Sequence, residues 1–429
     1  MFTLIYRLLF LPLFLLMLPY YGIKMWRRGG YAKDLTYRLG FYPTLKKSGK
    51  KRIWLQAVSV GEVKAVGGLV DLLIADGRFE IILTTTSSTG YTLAGELYGG
   101  KILFVGLFPW DFYAFSALAW EKIRPDIALL MESELWPEHM HQARVRSSPI
   151  YLVNARLSDK TFARYAKFPA LCRAIFSPVT KILAQSKDVY DRFVALGIDG
   201  NKLSVSGNLK FDCTFPPIGA SDRKALKTEL GFGEESLILL GSSTWPGEEE
   251  WLIECFAMIR KRAKGDWRLL FVPRHAERRA EIMLSLKRGE FCWHQRSRGP
   301  AEAQVDICLA DTTGELARLT SVADLVFIGK SLLGNSGGQS PLDAAAYGIP
   351  MVYGDNMTNF RAICQSLELS GGAVKAGDAA AAQSALVELA FDGQRRGQLS
   401  KILADWYVQN RGAAEYTYRA IVEDFFHAK

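Results

Sequence analysis

Short apolar runs alternate with helix-like segments along most of the chain, and this alternation restricts the fold more than any other feature. One series runs from Ile53 to Val205 and a second from Leu237 to Val352. Such alternation is typical of a mostly parallel sheet covered by helices. Because 429 residues exceed the size at which a single core stops growing, the sequence predicts an α/β fold of two doubly wound, Rossmann-like domains facing a cleft. The predicted strands are Ile53–Val58, Ile81–Leu83, Ile102–Val105, Ile127–Leu130, Ile150–Val153, Ile182–Ala184, Leu237–Leu240, Leu269–Val272, Val305–Leu309, Leu325–Ile328 and Met351–Val352.

The N-terminus departs from this pattern. Residues 2–21 are mostly apolar, interrupted by Arg7 and two prolines, and Lys24 and two arginines follow. A removable signal peptide carries its charges before the apolar core and ends in small residues. The sequence therefore favours an uncleaved membrane anchor, long enough to span a bilayer and with a positive flank that keeps the next domain cytoplasmic. Arg7 and the prolines leave a helix lying in the membrane surface as the alternative.

The net charge indicates which kind of partner the chain can bind, and the cysteine content bears on disulfides and metal sites. The 53 Lys and Arg against 44 Asp and Glu give a net charge of +9, which favours anionic partners. No nucleic acid partner is expected, because the basic residues are dispersed and no recognition motif is present. The six cysteines show no CxxC spacing, which predicts reduced, buried thiols and no zinc site.

Two predicted strands of the first half are followed directly by acidic residues. Glu62 falls in the first turn of a predicted helix, next to Gly61, where it suits a general base or a residue that only complements the helix dipole. Glu134 lies shortly before a helix that Pro137 is predicted to start. It suits either the binding of substrate hydroxyls or a capping or salt-bridging role.

In the second half, predicted strands end in hydroxyl, basic or glycine residues. Ser243 and Thr244 precede a predicted helix, as phosphate ligands or as simple helix caps do. Arg274 follows another strand and suits a phosphate or carboxylate ligand, although a solvated basic loop has the same composition. The turn at Gly337 and Gly338 precedes Pro341 and Asp343. We expect its N–H groups to bind phosphate and the carboxylate to bind ribose hydroxyls.

Taken together, these segments resemble the Kdo transferases, bacterial enzymes that move 3-deoxy-D-manno-octulosonic acid (Kdo) from CMP-Kdo to a lipid A precursor. The N-terminal anchor fits the same family. The matching segments, in family order, are Ala57–Val63, Thr84–Gly90, Glu132–Pro137, Leu152–Ser158, Gly207–Asp212, Pro273–Arg278, Asp311–Leu316 and Gly337–Leu342.

The resemblance implies a GT-B fold and inversion at the anomeric carbon, with CMP-Kdo as co-substrate and no metal or other cofactor. It implies a location at the cytoplasmic face of the inner membrane, where the anchor and a basic segment, Lys46–Arg52, would attract a phosphorylated lipid. The predicted domains are a membrane anchor (1–28), an acceptor-binding domain (50–210), a linker (211–223), a nucleotide-sugar-binding domain (224–400) and C-terminal helices (401–429).

The resemblance also implies roles for individual residues. Glu62 would be the general base, and Glu134 would help to bind the acceptor. The residues implied to bind the CMP-sugar donor are Ser243, Thr244, Arg274, Gly337, Gly338 and Asp343.

The chain departs from the usual family pattern mainly on the donor side, so transfer chemistry is better supported than the identity of the donor. A transferase of the same fold with another nucleotide-activated donor is one alternative. A non-catalytic lipid- or nucleotide-binding protein is the other, and the presence of Glu62, Glu134 and Arg274 argues against it. The departures are Gln56, Trp245, Lys330, Gln339, Ser340 and Asp343.

Overall fold

The chain folds into two compact α/β units, described here from a computed structural model. The structure describes residues 2–27, 34–213, 215 and 218–427. Unit 1 comprises the described residues up to 213 together with 410–427, and unit 2 comprises the described residues from 215 to 409.

Unit 1 is built on a sheet of seven strands within its described residues, ordered β3-β2-β1-β4-β5-β6-β7. Neighbouring strands in this sheet pair in parallel. The strands are β1 (Lys51–Ala57), β2 (Phe79–Thr85), β3 (Phe104–Leu107), β4 (Ile127–Met131), β5 (Ile150–Ala155), β6 (Lys181–Ala184) and β7 (Leu203–Val205).

Helices cover both faces of this sheet, so its strands are apolar on both sides. Along β1, Trp54 packs into the core on one face, whereas Ile53 and Leu55 pack into the core on the other. The helices are α1 (Phe2–Arg27), α2 (Val60–Ala65), α3 (Gly67–Asp76), α4 (Ser88–Tyr98), α5 (Tyr113–Ile123), α6 (Pro137–Val145), α7 (Asp159–Ala166), α8 (Pro169–Phe176) and α9 (Lys187–Ala195).

Unit 2 repeats this architecture, with seven parallel strands among its described residues in the order β10-β11-β9-β8-β12-β13-β14. The strands are β8 (Leu237–Thr244), β9 (Trp267–Pro273), β10 (Trp293–Gln295), β11 (Ile307–Leu309), β12 (Leu325–Ile328), β13 (Met351–Gly354) and β14 (Val374–Ala376). The helices are α10 (Ala220–Glu229), α11 (Glu248–Arg262), α12 (Arg279–Arg288), α13 (Leu316–Thr320), α14 (Leu342–Ala346), α15 (Arg361–Ser370), α16 (Ala379–Phe391) and α17 (Gly393–Gln409).

Both strand orders are doubly wound, and this positions the candidate sites. The winding reverses between β1 and β4 in unit 1 and between β8 and β12 in unit 2. Ligands of such sheets bind at the carboxyl ends of the strands beside the reversal. The segments that follow β1, β4, β8 and β12 are therefore the places to look for function.

The structure confirms the predicted α/β class, the parallel sheets and every strand predicted from an apolar run. Three edge strands were not predicted: β7 of the first sheet, and β10 and β14 of the second. Each is only three residues long and contains a polar residue, such as Ser204, His294 or Lys375, so none produces an apolar run. Four of the six cysteines are buried as expected, but Cys213 is half-buried and Cys292 is exposed.

The predicted linker (211–223) and C-terminal segment (401–429) need correction. Leu209–Asp212 forms a 3₁₀ turn of unit 1, and α10 already begins at Ala220. The Asp212 carboxylate accepts hydrogen bonds from the N–H groups of Gly412 and Ala414 at 2.8 and 2.7 Å. These bonds attach the final helix, α18 (Ala413–Val422), to unit 1, whereas α17 belongs to unit 2. Residues 214, 216 and 217 of the predicted linker lie outside the described residues.

The predicted N-terminal helix forms as α1, but its contacts differ from those of a spanning anchor. Arg7 binds the buried Glu138 carboxylate through two hydrogen bonds of 2.8 Å, and the Tyr6 hydroxyl donates to Asp111 at 2.7 Å. Phe14 packs edge-on against Trp110. These contacts hold the first half of α1 against unit 1. Among the described helices, none is both long and apolar enough to cross a membrane.

The basic segment 46–52 is only in part the free cationic loop expected from the sequence, because Lys46, Lys47 and Lys50 are exposed but Arg52 is not. Arg52 is fully buried and pairs with Glu80 at 2.5 Å. Its guanidinium also donates to the carbonyl oxygens of Ile123 and Lys46. Arg52 therefore supports the packing of unit 1 and offers no charge to a lipid.

Candidate active site

Glu62 lies at the carboxyl end of β1, in the first turn of α2, as predicted. Ser59 caps this helix by accepting a hydrogen bond from the Glu62 N–H. The Glu62 carboxylate in turn accepts from the Val58 N–H at 2.8 Å and from the Ser59 hydroxyl at 3.1 Å. This arrangement is close to a capping box, the Ser-x-x-Glu pattern at helix starts. The carboxylate is consequently buried and held in one orientation.

Two further carboxylates follow β4, the strand on the other side of the reversal. The pKa of Glu134 is raised to about 7, chiefly by burial and also by the negative charges of Glu62 and Glu132. Burial is also the main cause of a raised pKa at Glu62, with a contribution from Glu132. These mutual effects mean that the three carboxylates share one site, so the structure brings Glu62 and Glu134 together.

Lys210 and Arg156 supply the opposite charge at this site. Lys210 Nζ lies 2.8 Å from Glu132 Oε1, and Arg156 Nη1 lies 3.7 Å from Glu132 Oε2. Lys210 also lowers the pKa of Glu62, which partly offsets burial. Both cations lie in segments that resemble the Kdo transferases, but no local pattern indicates their role, because their neighbours come from distant parts of the chain.

Asn154 is a further residue of this site that no local sequence pattern indicates. It is the second-last residue of β5 and has a left-handed backbone, at φ +52°. Its side-chain oxygen accepts from the Leu209 N–H at 3.0 Å, while its buried Nδ2 has no partner among the described residues. Such a buried, unsatisfied donor is costly, and a ligand oxygen would satisfy it.

In unit 2, Ser243 and Thr244 end β8 beside the reversal of the sheet. Ser243 has a left-handed backbone, at φ +54°. Thr244 is fully buried, and its hydroxyl has no partner within the described part of the chain. Neither hydroxyl caps α11, whose N-cap is Gly247. The simple capping role that the sequence left open therefore does not apply.

Arg274 follows β9, and its backbone N–H donates to the Thr244 carbonyl at 3.1 Å. Its side chain is exposed and makes no hydrogen bond or ion pair to any described residue. The nearby Arg278, by contrast, is held by Glu249 and Glu281 at 2.8 Å each. Of these two arginines, only Arg274 has a guanidinium available for a ligand.

The turn at Gly337 and Gly338 forms, but it does not offer the N–H groups that the sequence suggested. The Gly337 N–H donates to the Asn356 carbonyl at 2.9 Å, and the Gly338 N–H donates to the Lys330 carbonyl at 3.0 Å. Both glycines have positive φ values, +109° and +71°, which explains why glycine is required there. In this structure the pair shapes the turn, and a phosphate cannot bind to these two N–H groups.

Asp343 lies in the first turn of α14 and is half-buried, as expected for a residue after Pro341. Its charge helps to raise the pKa of Tyr347, for which burial is the larger cause. A role at the ribose stays a prediction.

In unit 2, the role of Glu248 becomes clear only from its hydrogen bonds in the structure. Its buried carboxylate accepts hydrogen bonds from the N–H groups of Trp245 (2.9 Å), Lys330 (2.8 Å), Ser331 (3.0 Å) and Leu332 (3.3 Å). It therefore joins the loop after β8 to the loop after β12. Its place in the first turn of α11 by itself indicates only a favourable interaction with the helix dipole.

Residues 33–213, which contain the Glu62–Glu132–Glu134 cluster, match the family model described as 3-Deoxy-D-manno-octulosonic-acid transferase (kdotransferase). The chain is 29% identical to the 3-deoxy-D-manno-octulosonic acid transferase of Haemophilus influenzae, with 93% of each chain covered. It is 29% identical to the protein of the same name from Bordetella pertussis, with 86% of each covered. The chain is therefore similar to the Kdo transferases, which are glycosyltransferases, over most of its length.

Solved structures support the same fold. The UDP-GlcNAc 2-epimerase of Neisseria meningitidis, in a structure bound to UDP-GlcNAc, superposes with a TM-score of 0.61 at 11% identity. The comparison covers 87% of this chain and 100% of the epimerase. At this identity the likeness concerns the fold alone, which is of the GT-B-like α/β class. The similarity to Kdo transferases therefore rests on the family model and on the relatives of that name.

Proposed function

We propose that this chain is a Kdo transferase, which transfers Kdo from CMP-Kdo to a sugar hydroxyl of a lipid A precursor, lipid IVA. The observation that carries the proposal is the buried Glu62 carboxylate, oriented by Ser59 and Val58 beside two other carboxylates. This site lies at the strand ends next to the reversal of unit 1 and within the segment that matches the family.

In the proposed reaction, Glu62 takes the proton of the acceptor hydroxyl as that oxygen bonds to the anomeric carbon of Kdo. The bond between this carbon and the phosphate oxygen breaks, and CMP leaves with the electron pair. Attack opposite to the leaving group inverts the configuration of the carbon. Burial raises the pKa of Glu62, which makes its carboxylate a stronger base near neutral pH.

Glu134 is proposed to bind hydroxyl groups of the acceptor. With a pKa of about 7, it is partly protonated at neutral pH, so it can both donate and accept hydrogen bonds. Lys210 and Arg156 limit the accumulation of negative charge by pairing with Glu132. One carboxylate of the cluster can then act as base while a neighbour orients the substrate.

On the donor side, Arg274 is proposed to bind the phosphate of CMP. Its guanidinium is exposed and unpaired among the described residues, and arginine suits bidentate contacts to phosphate oxygens. Ser243 and Thr244, which carry hydroxyl groups, end the neighbouring strand. Cationic and hydrogen-bonding groups of this kind stabilise the charge that develops on departing CMP. CMP-Kdo is the co-substrate, and the proposed reaction uses no further cofactor.

We also propose that α1 lies in the surface of the inner membrane, on its cytoplasmic side, where the lipid acceptor is found. Arg7 and Tyr6 hold the helix against unit 1, while Leu8 and Leu16 are 68% and 75% exposed. An apolar face of this kind suits an interfacial helix. Vesicle flotation should show loss of binding when Leu15 and Leu16 are both changed to Glu, and unchanged flotation would contradict the proposal.

A different nucleotide-activated donor is the second candidate, and one observation favours it. The bulky Trp245 ring stands at the end of β8, with its edge against His275 and the Lys330 ammonium over its face. This stack occupies space beside the proposed donor-binding residues. Its size and charge would alter which sugar fits.

The reaction is tested by incubating the detergent-purified chain with lipid IVA and CMP-Kdo generated in the same vessel. Mass spectrometry of the lipid should show an increase by whole Kdo units, and the size of the increase counts the additions. An unchanged lipid mass, with intact CMP-Kdo and a known transferase active in parallel, would contradict the proposal. A screen of other nucleotide sugars would then test the second candidate.

A further inference from the structure

The backbone of Lys330 has an uncommon left-handed conformation beside the reversal of the sheet in unit 2. It follows β12, one of the two strands beside the reversal of the sheet, and its φ is +60°. Ser243, at the end of the other strand, has a φ of +54°. Side-chain-bearing residues rarely adopt this conformation, and those that do concentrate at functional sites. Here Glu248 holds the strained backbone by accepting the Lys330 N–H at 2.8 Å.

The Lys330 side chain is held in place but lacks an anionic partner. Its ammonium lies 4.2 Å from the centroid of the Trp245 ring, a cation–π contact. It is half-buried and forms no ion pair with any carboxylate of the described residues. The positive charge of this half-buried ammonium is not balanced by a carboxylate. An incoming anion would therefore stabilise it.

A second nitrogen donor points to the same space. A Cβ added to Gly337 would lie 2.7 Å from Asn359 Nδ2 and 3.7 Å from Lys330 Nζ. The two side chains therefore flank the open face of the Gly337 backbone, where glycine leaves room. Asn359 is exposed, and its side-chain amide makes no hydrogen bond within the described part of the chain. The glycine N–H groups are already used, so these side chains are the donors at this turn.

We propose that the Lys330 ammonium, with the Asn359 amide beside it, binds an anionic group of the nucleotide-sugar donor. That group is either the phosphate or the carboxylate of the sugar, since both present anionic oxygens. This inference deepens the proposed function and rests on it. Trp245 and Glu248 act as positioning residues, one for the ammonium and the other for the backbone of the loop.

The test measures donor binding without acceptor, so it does not depend on turnover. Isothermal titration compares CMP-Kdo, CMP and cytidine on the full chain and on Lys330→Gly, which removes the ammonium and relieves the left-handed backbone. Loss of a charged hydrogen bond should weaken CMP-Kdo binding about tenfold or more. Lys330→Arg should restore most of the affinity. The matched control is Lys401→Ala, which removes the ammonium of an exposed lysine in α17. Alanine is used at this position because glycine would destabilise the helix.

The comparison of CMP-Kdo, CMP and cytidine identifies which anionic group of the donor Lys330 binds. Weaker binding of both CMP and CMP-Kdo, with cytidine unchanged, assigns Lys330 to the phosphate. Weaker binding of CMP-Kdo alone assigns it to the sugar carboxylate. The proposal is overturned if Lys330→Gly binds both nucleotides as the unaltered chain does, or if the unaltered chain binds neither. Normal binding without any Kdo transfer would contradict the proposed function while leaving this inference intact.

Discussion

Ser59 and Glu62 are bonded to each other in both directions: the Glu62 N–H donates to Ser59 Oγ at 3.4 Å, and the Ser59 hydroxyl donates to Glu62 Oε1 at 3.1 Å. The same glutamate therefore stabilises the first turn of α2 and presents a carboxylate at the strand end. A cap and a base require different properties of the side chain. Capping needs only an oxygen acceptor, whereas a base needs a group that can take a proton.

The capping role predicts different stabilities for two variants of Glu62. Glu62→Gln keeps an oxygen that can accept from the Val58 N–H, because glutamine also serves in capping boxes. We expect it to unfold close to the unaltered chain. Glu62→Ala loses the acceptor and should be less stable by about 1 kcal/mol. Urea unfolding followed by circular dichroism measures both, and equal losses for the two variants would contradict the capping role.

Glu134 predicts a pH dependence of stability. Its folded-state pKa is about 7, raised from 4.5 chiefly by burial. The folded chain therefore binds more protons than the unfolded chain between these values, and stability falls as pH rises from about 4.5 to about 7. Glu134→Gln cannot ionise, so it should be more stable than the unaltered chain at pH 8 and similar at pH 4. A difference in melting temperature that is the same at both pH values would contradict this.

Glu248 predicts a structural coupling between two loops of unit 2. Glu248→Gln replaces one acceptor oxygen by an NH₂ group that faces backbone N–H donors. Leaving such buried donors unsatisfied costs about 1–3 kcal/mol. We expect lower stability and weaker nucleotide binding together. Glu254→Gln, exposed on the same helix, is the matched control, and equal behaviour of the two variants would argue against the coupling.

The contact of α1 with unit 1 is tested by a double-mutant cycle on Arg7 and Glu138. Arg7→Ala leaves the fully buried Glu138 carboxylate without its cation, which should cost about 3 kcal/mol. Adding Glu138→Gln should recover part of that loss, because a neutral amide is less costly to bury. Additive effects in urea unfolding would show that the two residues are independent.

The sequence was sufficient to predict the fold and most segments of the site. Strands with four or more apolar residues in a row were found because buried parallel strands are apolar on both faces. The three-residue edge strand Trp293–Gln295 gave no such signal. Glu62 and Glu134 were found because each follows a strand that ends at the same edge of the sheet.

Other features depend on contacts between distant segments, which local patterns do not reveal. Lys210 pairs with Glu132 across 78 positions of the chain, and Glu248 accepts from Lys330 across 82. The expected glycine N–H cradle fails for a similar reason, because the Asn356 carbonyl already accepts one of those N–H groups. The contact of α1 with the rest of unit 1 likewise depends on two residues from distant segments, Asp111 and Glu138. Burial raises the pKa of Asp111 to about 6.

Glu62 is proposed to be the base of a Kdo transfer reaction. The most direct measurement is the rate of Kdo transfer to lipid IVA by Glu62→Gln and by the unaltered chain, with CMP affinity measured on the same preparations. We predict that kcat falls at least about 100-fold while CMP affinity changes by less than about twofold, because only the base is removed. A Glu62→Gln variant that transfers Kdo at nearly the unaltered rate would contradict the account.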